Sequence, residues 1–144
     1  MQVIGFGFEK IQAERKNLTK QGNQNININS NINIKNISQE QIDVVKDKPV
    51  IKFDFEFLVD YKPNFAELLF KGYVIMIVEK DDAKDILKKW KSKKVSDEIR
   101  LPLFNLILTK CNLRALQLEE ELNLPTHIPL PRIKPQQDNA NYTG

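Results

Sequence analysis

The run from Val50 to Val78 carries the clearest alternation of apolar and polar positions in the chain. Ile51, Phe53, Phe55, Phe57 and Val59 alternate with Lys52, Asp54, Glu56 and Leu58, the period of a strand with one buried face. Lys62, Pro63 and Asn64 supply turn residues, and Leu68, Phe70, Gly72, Val74, Met76 and Val78 then share one parity of a second run. The pattern predicts an antiparallel hairpin with a large aromatic inner face that another element must cover. From Val74 to Val78 every residue is apolar, which predicts cover on both faces at that end, by a helix or by another copy of the chain.

Two further strands precede the hairpin. Over Val3 to Arg15, Ile4, Phe6 and Phe8 share one parity while Ile11 and Ala13 take the other, so a β-bulge or kink is expected between Phe8 and Ile11, eased by Gly5 and Gly7. Over Asn25 to Asn36, Ile26, Ile28, Ile32 and Ile34 alternate with asparagines, and this regularity outweighs the poor strand propensity of Asn. Low charge and many Ile and Asn residues also make that stretch aggregation-prone in isolation. Residues 16–23 and 38–49 read as connections.

Helical spacing follows. Ala83, Ile86, Leu87 and Trp90 predict a short helix over Asp81 to Ser92 after an acidic start. A break at Ile99 to Leu101 and proline in the first turn predict a main helix over Pro102 to Leu122. Phe104, Ile107, Leu108, Cys111, Ala115, Leu118 and Leu122 form one stripe, and Leu103, Leu106, Leu113 and Leu116 a second beside it. A helix lying on one sheet needs only the first stripe, so the second predicts a partner surface, with another subunit as its simplest source. Asn123 suits a left-handed helix end. Pro125, Pro129 and Pro131 then impose an extended segment over Leu124 to Ile133 whose apolar side chains lie back on the fold. The polar remainder from Lys134 to Gly144 reads as a disordered tail.

At 144 residues the chain fits one domain, expected over 1–133, in which a compact fold buries roughly 70% of its unfolded surface without disulfide or metal. Cys111 is the single cysteine, as a reducing compartment allows. No apolar run is long enough to span a bilayer and no signal-peptide pattern opens the chain, so a cytoplasmic protein without membrane insertion is expected. The sequons at Asn17, Asn36 and Asn141 are then incidental. A net charge of +3 from 22 basic and 19 acidic residues is too balanced to argue for nucleic acid.

The chemistry of the side chains points away from catalysis, and no enzyme, metal or cofactor is expected. His127 stands alone between prolines, without a Cys or second His for zinc, and reads as structural or surface. Cys111 lies on an apolar stripe with no neighbouring histidine. Gly5 and Gly7 are not followed by the elements of a phosphate loop. Asp81 and Asp82 serve a helix start, and Glu119, Glu120 and Glu121 read as a solvated helix end rather than a docking point for a basic partner. Lysines 88, 89, 91, 93 and 94 around Trp90 resemble a single-stranded nucleic-acid platform, but a solvated lysine face with Trp90 against the sheet explains them without any base-reading motif.

Four strands, a short helix, a proline-led main helix and an extended Leu-Pro segment stand in an order that resembles the SecB family of export chaperones. The likeness is densest from Ile99 to Ile133, where Ile-Arg-Leu-Pro-Leu-Phe opens the main helix and Leu-Pro-Thr-His-Ile-Pro-Leu follows it. The family has a similar Leu-Phe-Pro-Tyr-Ala opening, then Phe-Pro-Pro/Gln-Leu and a Leu-x-Pro segment. Phe-x-Phe-x-Lys-Ile at Phe6 to Ile11 also resembles the family's first strand, so the likeness covers most of residues 3 to 133. It implies an α+β fold, a four-stranded antiparallel sheet with a short and a long helix on one face. It further implies a homodimer or homotetramer, a dimer of dimers, that holds non-native polypeptides in apolar grooves without ATP, in the context of protein export. The family's amphipathic C-terminal helix and zinc-binding tail for the SecA motor have no counterpart, so the likeness speaks for client binding rather than motor docking. Candidate groove residues are Phe57, Leu58, Ile26, Ile28 and Leu130, and candidate interface residues are Ile75, Ile77, Leu103, Leu106, Leu113 and Leu116. The alternative is a structural or adaptor oligomer that uses its excess apolar surface for assembly alone, and a weak nucleic-acid binder comes third.

Overall fold

The structure, a computed structural model, describes residues 1–16, 25–42 and 47–135. The order of elements is β1 (Gln2–Arg15), β2 (Asn27–Glu40), β3 (Val50–Lys62), β4 (Ala66–Ile77), α1 (Lys80–Trp90) and α2 (Asp97–Glu121). The strands form one antiparallel sheet in the order β1-β4-β3-β2, which leaves β1 and β2 as its edges. Parts of the expected connections, at 17–24 and 43–46, and the expected tail at 136–144 lie outside the described residues.

The β3–β4 hairpin forms as its alternation requires. Phe57 pairs with Phe70 and Phe53 with Val74, and every residue of the two expected inner parities is buried. Phe57 and Phe70 stack with ring centres 5.9 Å apart, and Phe8 from β1 meets Phe70 edge-on at 5.6 Å. The register of β1 shifts between Phe8 and Lys10, at the phase change in its sequence, and again between Val3 and Gly5. Close approach sets two of the glycines: a Cβ at Gly7 would lie 2.7 Å from the Tyr73 ring, and one at Gly72 would lie 2.8 Å from Phe55. Gly7 of β1 thus makes room for a cross-strand tyrosine, a role its sequence position alone does not reveal.

Strand β2 runs past its expected end. A register shift between Ile34 and Asn36 inserts Lys35, so Ile34 and Ile37 both point at the core although they are three residues apart. Ser38 to Glu40, expected in a loop, therefore continue the ladder against β3.

Both helices cover the inner face. Ala83 and Ile86 of α1 join the buried cluster, and α2 contributes Ile99, Leu103, Ile107, Cys111, Ala115 and Leu118, almost all at four-residue steps. Two expectations about α2 are corrected. The helix begins at Asp97 after Ser96, with Pro102 inside it: the acidic first turn and burial of Ile99 outweigh the backbone donor lost at the proline. Leu103, expected on the partner-facing stripe, is 0% exposed, because it stands four residues before Ile107 on the same buried line.

The helix ends as Asn123 suggests, with φ 51° and the Leu124 N–H donating to the Glu119 carbonyl at 2.8 Å. Arg15 at the end of β1 donates to the carbonyls of Leu122 and Asn123 at 3.0 and 2.9 Å, which ties that end to the sheet. Beyond it, Leu124 is buried and Ile128 half-buried, whereas Leu130 and Ile133 are exposed rather than folded back. No described element packs on the opposite sheet face. The cover expected over the second side of Val74 to Val78 is accordingly not supplied by the described residues, and Ile75 and Ile77 are half-buried among neighbouring strand side chains. No described helix is long and apolar enough to cross a membrane.

Candidate functional site

Three features gather the chain's polar and aromatic side chains. The first is a closed polar cluster where the extended segment meets the sheet. Glu119 is 0% exposed, which overturns its reading as part of a solvated helix end: it follows Ala115 by four residues and so faces inward, unlike exposed Glu120 and Glu121. Its carboxylate lies 2.8 Å from the Tyr61 hydroxyl and 2.8 Å from His127 Nδ1, and accepts the His127 backbone N–H at 3.2 Å. The Tyr61 hydroxyl is also 2.6 Å from the Pro125 carbonyl oxygen, and His127 Nε2 is 2.7 Å from Asn112 Oδ1. Burial, reinforced by the Glu119 carboxylate, drives the Tyr61 phenol well above its ordinary range, so Tyr61 stays a neutral donor. With the His127 side chain 1% exposed, the cluster offers no opening to a substrate. It pins residues 125–127 onto the sheet, which makes His127 structural. Burial likewise pushes the Cys111 thiol up to about 12, leaving it protonated and unreactive at neutral pH. Among the described residues, no three His, Cys, Asp or Glu side chains gather as metal ligands would.

The second feature is an open cleft of about 230 Å³ between β2 and α2. Ile32 with Ser30 and Asn31 forms one wall, Phe104 and Leu108 the other, and Phe57 lies at its base. Alternation on β2 turns Ile32 inward opposite Phe57, and the four-residue step from Phe104 to Leu108 keeps both on the flank of α2 that looks toward β2. Because β2 pairs only with β3, its outer backbone groups find no strand partner among the described residues.

The third is a cleft of about 630 Å³ farther along the same edge, sharing Phe104 with the second. Its apolar wall is Ile34, Trp90 and Val95, and its rim is Lys35, Lys93, Lys94 and Arg100. Lys35 is the inserted residue of the β2 bulge. Lys93 has φ 58°, a left-handed conformation rare for a side chain of this size, and holds its Nζ 4.5 Å from the centre of the Trp90 ring.

The residues singled out in the sequence are only partly brought together. Phe57 lies at the base of the smaller cleft but is 0% exposed, so it is floor and core rather than free surface. Leu58 points to the other face of the sheet and cannot share a groove with Phe57, since neighbours in a strand alternate. Ile26 and Ile28 are half-buried against the core, and Leu130 is exposed on the extended segment. Ile32, Ile34, Trp90, Phe104 and Leu108 were not among the expected groove residues, although the isoleucine alternation and the helix stripe already marked them as apolar. Of the expected interface residues, Leu113 is 61% exposed, Leu106 and Leu116 are half-buried, Ile75 and Ile77 lie on the uncovered sheet face, and Leu103 belongs to the core.

No family model matches this chain, and no curated protein matches it in sequence. Among solved structures, it is similar to the Mycobacterium tuberculosis SecB-like chaperone Rv1957 in complex with a ChAD peptide from the antitoxin Rv1956 HigA1. The TM-score is 0.50 at 12% identity, over 94% of this chain and 92% of that one. The likeness shows a SecB-like fold, as the order of elements in the sequence led one to expect.

Proposed function

We propose that this chain is a chaperone of the holdase kind, which binds extended apolar segments of non-native polypeptides without ATP. The observation that carries the reading is the cleft between β2 and α2: an unpaired strand edge beside an apolar trough walled by Ile32, Phe104 and Leu108. A strand edge recognises backbone and so tolerates many sequences, while the trough takes side chains of the client, each square ångström of apolar surface contributing about 25 cal/mol. At about 230 Å³ the trough is smaller than the roughly 300 to 1,000 Å³ of small-molecule sites, a size suited to single side chains of an extended chain. The SecB-like fold supports the reading. In the same proposal, copies of the chain assemble through the outer side of α2, where Leu101 and Leu113 stand exposed beside Leu106 and Leu116.

The test is aggregation of a chemically unfolded client, followed by light scattering. Substoichiometric protein is expected to suppress the scattering, and Leu108→Gln to weaken suppression severalfold while the fold survives. No suppression at a severalfold excess of the unsubstituted protein would leave only an assembly role.

A further inference from the structure

The larger cleft has a chemistry that the trough lacks. Every charged side chain on its lining is a cation. Two of the four cations are engaged, Lys35 with Glu56 at 3.9 Å and Arg100 with Asp97 at 2.6 Å. Lys93 and Lys94 have no acidic partner among the described residues, and the left-handed backbone at residue 93 keeps one of them over Trp90. That backbone conformation closes α1, with the Lys93 N–H donating to the Trp90 carbonyl at 2.8 Å and the Lys94 N–H to the Lys89 carbonyl at 3.1 Å, so the helix end itself sets both lysines at the mouth of the aromatic cleft.

We infer that this cleft gives the chain a preference for acidic client segments that carry aromatic or large aliphatic side chains, an inference that rests on the polypeptide-binding reading above. An extended client lying along β2 from the trough comes next to the cationic cleft, since the two share Phe104. Its Asp or Glu side chains meet Lys93 and Lys94 while an apolar neighbour enters between Trp90 and Phe104. Single-stranded nucleic acid fits less well. Base stacking needs an open ring face, and Trp90 has Lys93 over its ring while the side chain packs half-buried against the core.

Fluorescence anisotropy on the full chain decides the matter with three labelled probes: a peptide alternating Glu with Phe and Leu, the same peptide with Lys for Glu, and a short oligothymidine. The acidic peptide is expected to bind about tenfold more tightly than its lysine counterpart at low ionic strength, with the gap closing as salt screens the rim. Lys93→Gly should narrow the gap while thermal unfolding stays in place, because glycine adopts the left-handed conformation without cost. Equal affinity for the two peptides overturns the inference and leaves the holdase reading intact. Tighter binding of oligothymidine than of the acidic peptide overturns it in favour of nucleic acid. Failure of both peptides to bind overturns it as well, and the aggregation assay then shows whether the holdase reading falls with it.

Discussion

Glu119 shows how much one side chain can settle. A carboxylate withdrawn fully from water is tolerable only with several donors around it, and here Tyr61, the His127 ring and the His127 backbone supply them. The acid therefore fastens three separate parts of the chain: β3, α2 and the segment after α2. Glu119→Ala leaves those donors buried without an acceptor, and a loss of about 3 kcal/mol in urea unfolding is expected. Glu120→Ala, one residue along and exposed, should stay within about 0.5 kcal/mol. Equal effects from the two substitutions would show that the cluster does not hold the fold. At this scale the sequence was legible in part for His127, whose lack of metal-binding companions left a structural or a surface role, and burial against Glu119 decides for the first. It was misleading for Glu119, because a run of three glutamates looks uniformly solvated unless the four-residue step from Ala115 is followed into it.

At the scale of elements, periodicity gave the faces well and the ends poorly. The hairpin parities and the Asn123 helix end follow directly from alternation and capping. The start of α2 and the end of β2 do not. Pro102 has the look of a helix start, but the acidic turn before it already opens α2, and a one-residue bulge at Lys35 conceals that Ile37 continues the strand. Such bulges with a lysine are also a recognised way to keep an edge strand from pairing indiscriminately, so Lys35 restrains the β2 edge that the proposed site uses. The outer side of α2 carries its own prediction. Leu113 is 61% exposed, so Leu113→Glu should change unfolding stability by no more than about 0.5 kcal/mol. If copies assemble there, native mass spectrometry will find the unsubstituted protein as an oligomer and the variant as a smaller species. A monomeric unsubstituted protein would remove this face as an interface.

For the whole molecule, strand order creates the trough. Alternation tells which side chains are buried but not which strands are neighbours, and nothing in the spacing of Ile26 to Ile34 places β2 at an edge. Once β2 ends the sheet, with α2 packed on the same inner face, Ile32 and Leu108 come to line one trough, and Leu58 is turned to the far side of the sheet. Of the expected groove residues only Phe57 lines this trough, because hydrophobicity along one segment does not reveal a cleft formed between segments distant in sequence. Photocrosslinking to an unfolded client tests this placement most directly, with a benzophenone side chain put in turn at Leu108, in the trough, and at Leu69, on the opposite face. Crosslinks are predicted from position 108 and not from position 69. Crosslinks from position 69 alone, with a folded protein at both positions, would contradict the account.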